Sequence, residues 1–430
     1  MMNHVTHIRY QVRVKLVFLL FALVLFSVPR GWAQPTAIKV KSPAVLQEDQ
    51  MEEVSISLLT ASPGERVYEL FGHTAIRYRS DAHDIDLVLN YGTFSFYADN
   101  FIYHFVKGDA NYELGVIPFL WFLQEYKDRG SSVTEQMLNM DNGQKWRFTQ
   151  LFLENYRPEN RFYRYNYLRD NCTTRARDII EEAIGDSVEY EPVYNHQSFR
   201  QIVHHHTDGE PWTEFGIDLC LGAEADEVLD AREQMFIPLN LENMMIQACV
   251  LSPDSGVVRL VSGTQTILEE NEALRGEQEK PVLTPLILFW CICFLFLAIA
   301  WVEYKKKVIF WGVDVVALLF QGVVGLLVAY LFFFSFQPTV DSNWLVLVFN
   351  PLPLLWLPWN VFCTLRHKAD IFHVVNLLVL GIFLAMLPVI PQVVNAAIYP
   401  LILTFCQRSC IHLLLRKENL QLARGLMFWK

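Results

Sequence analysis

The sequence predicts an α+β exported domain followed by an all-α membrane bundle. Three observations carry that reading. The chain opens on a secretory signal, residues 34–280 carry 21 Lys and Arg against 41 Asp and Glu, and the composition turns abruptly apolar after Lys280. At 430 residues the chain is also too long for one ordinary domain.

The signal occupies residues 1–33. Arg9, Arg13 and Lys15 form a positive region, and an apolar run of 13 residues follows from Leu16 to Val28. Pro29 breaks the run, and Gly31 and Ala33 place small residues at a cleavage site. The run falls short of the ~20 residues a membrane helix needs, which favours cleavage over the alternative of a retained anchor. Residues 34–53 read as an unstructured leader.

Residues 54–265 read as one α+β domain. Thr74–Arg79 and Asp86–Tyr91 alternate with period two around the turn-rich segment 80–84, the pattern of a β-hairpin. Segments 119–129 and 143–155 have helical spacing of apolar residues. Asp170 or Asn171 can cap a helix whose apolar face is Ala176, Ile179, Ile180, Ala183 and Ile184. Segments 244–250 and 256–261 read as a second hairpin, and the polar stretch 264–280 leads to the membrane, with 266–281 as linker.

Five spans follow, near 282–302, 308–336, 344–365, 371–389 and 393–415, with 416–430 as a tail. The third carries Pro351, Pro353 and Pro358, which mark a broken or re-entrant segment. Lys305, Lys306 and Lys307 follow span one, Arg366 and Lys368 span three, and Arg416, Lys417, Arg424 and Lys430 span five. The alternate loops, 337–343 and 391–392, carry no Lys or Arg. The positive-inside rule then places residues 34–280 in the periplasm and the C-terminus in the cytoplasm of a multi-pass inner-membrane protein. Arg408 inside span five reads as either a functional charge or a snorkelling one, and Asp314 as interfacial.

The acidity of the exported domain excludes nucleic acid and electrostatic docking on anionic lipid. Its three cysteines are Cys172, Cys220 and Cys249, an odd number in an oxidising compartment. A Cys220–Cys249 disulfide is the expected pair and leaves Cys172 free.

Cys172 falls in the first turn of the capped helix, where the positive dipole end favours a thiolate and free N–H groups can hold an oxyanion. Arg175 and Arg177 add positive charge to that helix. His73, after Gly72 and at the start of the first hairpin strand, is the candidate base. A third group is needed to orient it. A hairpin turn centred at 81 or 82 puts Asn90 or Tyr91 opposite His73, so Asn90 is the candidate, with Glu69 and His83 as alternatives. Tyr163, Tyr165 and Tyr167 alternate before the cysteine, which favours a half-buried strand over a lipid-contact face. His204, His205 and His206 adjoin, but on an extended strand neighbours face opposite ways, and no Cys or His pair at zinc spacing accompanies them. The sequence therefore implies neither metal nor cofactor.

The order of histidine on a strand, polar residue on the next strand, then Asn-Cys opening a helix resembles the permuted papain-like enzymes, which include the lecithin–retinol acyltransferase group. More closely, Tyr68–Arg77, Asn90–Phe94, Tyr165-Asn166-Tyr167 and Asp170–Arg175 resemble the Lnb family, the lipoprotein N-acyltransferases of Bacteroides and relatives. The resemblance implies a permuted papain-like domain. It also implies that Cys172 takes an acyl chain from phospholipid as a thioester and passes it to the α-amino group of a diacylated lipoprotein, with His73 as base. It does not assign the third residue. The dyad alone is equally that of a membrane-anchored cell-wall peptidase or amidase. A non-enzymatic exported domain that binds an envelope partner is the third reading.

Overall fold

The computed structural model describes residues 46–94, 100–185, 188–192, 195–252, 256–271, 273–274 and 281–416. The signal peptide and most of the leader and tail lie outside them. In chain order the exported part contains β1 (Ser55–Ala61), β2 (His73–Ser80), β3 (Ile85–Thr93), α1 (Phe101–Lys107), β4 (Asn111–Pro118), α2 (Phe119–Arg129), β5 (Val133–Leu138), α3 (Asn142–Tyr156), β6 (Phe162–Arg164) and α4 (Cys172–Ile184). It continues through β7 (Val188–Glu189), α5 (Phe199–His206), α6 (Pro211–Cys220), α7 (Ala231–Gln234), α8 (Pro238–Gln247), β8 (Cys249–Ser252), β9 (Gly256–Arg259) and β10 (Val261–Leu268).

Seven strands form one antiparallel sheet in the order β10-β5-β1-β2-β3-β4-β6. β1 lies inside the sheet between β5 and β2 and is buried at every position but its first, so it lacks the alternation that betrays a half-buried strand. On one face Ile56, Leu58, Ile76, Tyr78 and Leu89 pack with Phe148 and Phe152 of α3 and with Ile179, Ile180 and Ala183 of α4. On the other, Leu59, Ala75 and Val88 pack against Phe119, Phe122 and Tyr126 of α2. The charged Arg77 is buried with Glu135 (3.1 Å) and Asp86 (2.7 Å), its guanidinium 3.4 Å from the Phe119 ring centre. That arrangement pairs a charge whose isolated burial would be costly.

Several expectations change here. Residues Glu48–Glu53 form a 3-10 helix with Met51 fully buried, so this end of the leader belongs to the core. Met244 to Gln247 ends α8 rather than starting a strand. The polar segment after Val261 pairs with β5 as the sheet's edge strand out to Leu268; an edge strand exposed on one side needs no apolar pattern. His204, His205 and His206 lie on α5, a helix capped by Ser198, and not on an extended strand. Cys220 and Cys249 are both free, with no disulfide between them. Cys220 ends α6, where its carbonyl accepts from Asn343 of the membrane part (3.2 Å), while Cys249 lies in the β7-β8-β9 sheet. That docking is invisible in the local sequence.

Five apolar helices form the C-terminal bundle: α9 (Pro285–Lys306), α10 (Trp311–Phe334), α11 (Leu352–Leu365), α12 (Ile371–Met386) and α13 (Ile398–Leu415). Four segments are long and apolar enough to cross a membrane, and α12 is shorter. Span three is broken as its prolines predict, with a 3-10 turn at Trp344–Leu347 before α11. Arg408 does not snorkel. It is 2% exposed and bonds Glu303 (2.5 Å) and Asp314 (2.7 Å), and Asp314 also meets His412 at 3.0 Å. Asp314 is thus an interior residue, because a buried arginine needs carboxylates beside it.

The exported part is fastened to the bundle by groups that sit in its loops. Asn343 donates to the Leu219 carbonyl (2.9 Å), Gln392 to Leu221 (3.1 Å) and Asn395 to Asp218 (2.8 Å). Asp226 accepts from the Val393 N–H at 3.0 Å. Asp218 and Asp226 are themselves held by the buried Arg200, at 2.6 and 2.8 Å.

Candidate functional site

His73 is the first residue of β2 and pairs across to Ala61 on β1. Gly72 precedes it at φ 75°, and a β-carbon there would lie 2.6 Å from the Ala61 carbonyl oxygen. Glycine is thus needed for the chain to enter the strand at this point. On the other side β2 pairs with β3 in the register Ile76↔Leu89. This register sets Asn90 level with Ala75, one diagonal step from His73 on the same face, within reach of a long side chain. The His73 Nε2 and Asn90 Oδ1 are 2.6 Å apart. The expected neighbour is therefore reached on the diagonal rather than directly opposite. Of the alternatives, Glu69 pairs with Arg129 (3.5 Å), and His83 lies beyond the far end of β2 against Ser80 and Gln50.

Cys172 opens α4 from the opposite side of the sheet. Asn171, not Asp170, is the cap: its Oδ1 accepts from the N–H groups of Thr173 (2.8 Å) and Thr174 (3.0 Å). Asp170 instead grips Arg175 at 2.5 and 2.7 Å. Thr173 further meets Thr74 of β2, hydroxyl to hydroxyl, at 3.2 Å. Gly92, at φ 87°, lets the helix start come up against β3; a β-carbon there would stand 3.5 Å from the Cys172 Cβ and 3.9 Å from the Tyr163 hydroxyl.

These contacts decide the chemistry of the thiol. Burial pushes Cys172 up, but the facing His73, the hydrogen bond between them, and bonds from the Thr74 N–H and Thr173 hydroxyl bring it down to about 7. His73 moves the other way. Burial lowers it, and Cys172 and the Asn90 hydrogen bond raise it above the ordinary histidine value. With Nε2 on Asn90, the ring nitrogen left for the thiol is Nδ1. Both shifts run toward thiolate beside imidazolium, the charge state a thiol nucleophile requires. Arg175 and Arg177 contribute less than their number suggests, since Asp170 holds the first and Asp178 (2.7 Å) the second.

The first-turn amides also differ from expectation. The Asn171 cap consumes those of Thr173 and Thr174, which leaves the Cys172 N–H as the donor of that turn. Tyr163 was expected only to fill a strand. Its hydroxyl is buried and its proton has no acceptor among the described residues, beside the space over Gly92 that the Cys172 side chain also borders. Burial raises the phenol well above its ordinary value, against the Gly92 N–H and the Arg175 guanidinium, which lies 4.1 Å from the ring centre. The strand alternation ends at Arg164, and the Tyr167 hydroxyl turns to the bundle, donating to the Pro338 carbonyl at 3.3 Å. No local signal distinguishes Tyr163 from its neighbours.

Among the described residues one cluster has metal-ligating side chains close together: His204, Glu214 and Asp218, ligand atoms within 4.8 Å of one another. The Arg200 guanidinium already sits 2.6 Å from Asp218, a positive charge where a cation would bind. His204 serves as a further partner of the same carboxylate, at 2.9 Å.

Fold and site together define a membrane-anchored α+β protein with a cysteine–histidine–asparagine constellation at the sheet end. Residues 41–205 match the family model for the Lnb N-terminal periplasmic domain, and residues 277–419 match that for the Lnb transmembrane domain. The two matches together span well over half of the chain, in the family's order, and the chain belongs to the Lnb family. Membership points to lipoprotein N-acylation and to an acyltransferase. No curated protein matches the chain, and no solved structure does either.

Proposed function

We propose that the protein transfers an acyl chain from a phospholipid to the α-amino group of a diacylglyceryl-cysteine lipoprotein, through a thioester on Cys172. The observation that carries this reading is where the nucleophile is tethered. Asn171, its cap, donates to the Tyr167 carbonyl (3.0 Å), and the Tyr167 hydroxyl donates to Pro338 in the loop between two apolar spans. The thiol is thus held at the mouth of the bundle, where both substrates would be anchored. A wall peptidase with the same dyad has no need of that position.

The Cys172 thiolate attacks the ester carbonyl. The tetrahedral oxyanion is held by the Cys172 N–H and the Tyr163 hydroxyl, with the Arg175 guanidinium over the phenol ring. The intermediate collapses, the ester C–O bond breaks, and the His73 imidazolium protonates the departing lysophospholipid alkoxide. The neutral amine of the lipoprotein then attacks the thioester, His73 takes its proton, and the thiolate leaves as the amide forms. Asn90 holds the His73 ring for both steps. The permuted papain-like order supports these roles. So does the inner-membrane topology read from the loops, with the catalytic domain in the periplasm and the C-terminus in the cytoplasm.

The test is mass spectrometry of a reporter lipoprotein's N-terminal peptide in cells lacking any other N-acyltransferase. A third acyl chain should appear with the intact protein and not with Cys172→Ser. A diacyl form in both, with the protein present, would move the peptidase reading to first place.

A further inference from the structure

Helix α1 is assigned by sequence to the exported domain, yet it leaves Ile102 61%, Tyr103 52% and Phe105 37% exposed. Its last carbonyls are satisfied by the bundle. The Phe336 N–H donates to Lys107 O, the Ser335 hydroxyl to Val106 O and the Gln337 amide to Phe105 O, each at 2.7 Å. These donors lie just past the end of α10. The Tyr103 ring lies 6.3 Å from that of Tyr330, four residues inside α10, about 6 Å along its axis at 1.5 Å per residue. A helix of 24 residues is about 36 Å long, and the hydrocarbon layer about 30 Å thick, so Tyr330 is at or below the hydrocarbon boundary. Phe333, Phe334 and Phe336, all at least 60% exposed, form an aromatic belt at the same level.

From α1 aromatic rings lead inward. Phe101 stacks on Phe94 (5.1 Å), Phe94 meets Tyr112 (4.8 Å), and Tyr112 stacks on Tyr165 (4.1 Å). Tyr165 and Cys172 both pack against the same core and are near enough for the thiol's charge to act on the Tyr165 phenol. We propose that α1 dips into the bilayer leaflet on the exported domain's side and is the lip over which a phospholipid acyl chain passes along this aromatic wall to Cys172. The occupant of the exposed face is lipid, because α1 continues the lipid-facing belt of α10 and reaches below its end at Tyr103. Lys107 and Asp109, paired at 2.5 Å, stand at the headgroup end of the lip. The route rests on the acyl-transfer reading above; the immersion of α1 does not.

The test uses the full chain in nanodiscs of dioleoyl phosphatidylethanolamine and dioleoyl phosphatidylglycerol. A benzophenone amino acid replaces Ile102, Phe105 or, as control, Val257, which is 67% exposed on β9. Irradiation should give lipid adducts at 102 and 105 and not at 257, equally in a Cys172→Ser background. Adducts at 102 and 105 no more frequent than at 257 would overturn the immersion. Ile102→Asp with Phe105→Asp should slow acyl-thioester formation from nanodisc phospholipid at least tenfold; a rate within twofold would overturn the lip. If the unaltered protein forms no thioester while the adducts appear, the acyl-transfer reading falls and the immersion stands.

Discussion

Tyr163→Phe removes one oxygen atom and separates a catalytic hydroxyl from a structural one. The hydroxyl is buried, its proton has no acceptor among the described residues, and the ring packs in the core with Tyr91 6.4 Å away. Burying the proton without an acceptor costs about 1–3 kcal/mol and the contact of the oxygen with the Gly92 N–H returns part of that, so removing the hydroxyl should change stability by no more than about 1 kcal/mol. Activity should move the other way. Loss of one of two oxyanion donors lowers turnover by about a hundredfold, or ~2.7 kcal/mol of transition-state stabilisation. The assay is single-turnover formation of the Cys172 thioester from nanodisc phospholipid, read by mass of the active-site peptide, beside thermal unfolding in the same lipid. Because the defect lies in the transition state, it should not yield to more phospholipid. Thioester formation within threefold of the unaltered protein would refute the assignment. So would a loss of stability in step with activity, which is the behaviour of a packing residue.

Other consequences follow from the same geometry. Iodoacetamide labelling of the Cys172 peptide should have its midpoint near pH 7, so roughly half of the thiol reacts as thiolate at neutral pH against a few per cent of an ordinary thiol; a midpoint above 8 would contradict the pairing. Asn90→Ala removes a contact that raises His73, so the imidazolium is less favoured and the labelling midpoint should climb toward the ordinary thiol range, with Asn90→Gln restoring part of it. Gly92→Ala should cost about 1 kcal/mol for its φ of 87° and also abolish acylation, since its methyl occupies the space between Cys172 and Tyr163. Away from the site, burial pushes Glu135 up, but Ser57, Gln265 and Arg77 bring it below the ordinary carboxylate value. A depressed carboxylate contributes stability that is present above its unfolded pKa and lost as pH falls through the folded one. Glu135→Gln should therefore lower Tm at neutral pH and flatten its decline in acid; an unchanged acid limb would remove Glu135 from that role.

Much of the molecule was legible locally. The hairpin of β2 and β3 and the helices α2, α3 and α4 announce themselves by period and cap, because each is half-buried and its pattern records which side faces the core. The spans are legible because lipid demands a continuous apolar run. Cys172 and His73 are legible as an opening helix residue and an opening strand residue, and Asn90 as the neighbour a short turn permits. What the sequence could not supply are features that depend on elements far apart in the chain. The interior strand β1 is buried on both faces and has no period to read. The edge strand β10 is polar because only β5 holds it. Arg408 and Asp314 were ambiguous as single residues and become one buried network only when α9, α10 and α13 meet. Cys220 was drawn toward Cys249 by arithmetic, and the docking of α6 on Asn343 sets it elsewhere.

The site divides the same way. The sequence by itself determined which groups are on offer, a thiol at a helix start and an imidazole at a strand start, since these are properties of side chains and of local structure. Tertiary structure decided how those groups act. It spent the Thr173 and Thr174 amides on the Asn171 cap, paired Arg175 and Arg177 with aspartates, left the Tyr163 hydroxyl proton with no acceptor among the described residues, and tied the helix of Cys172 to Pro338 at the bundle mouth. Each of these is a competition for a hydrogen bond or a counter-charge among residues distant in the chain. The winner depends on distances that only the folded packing fixes.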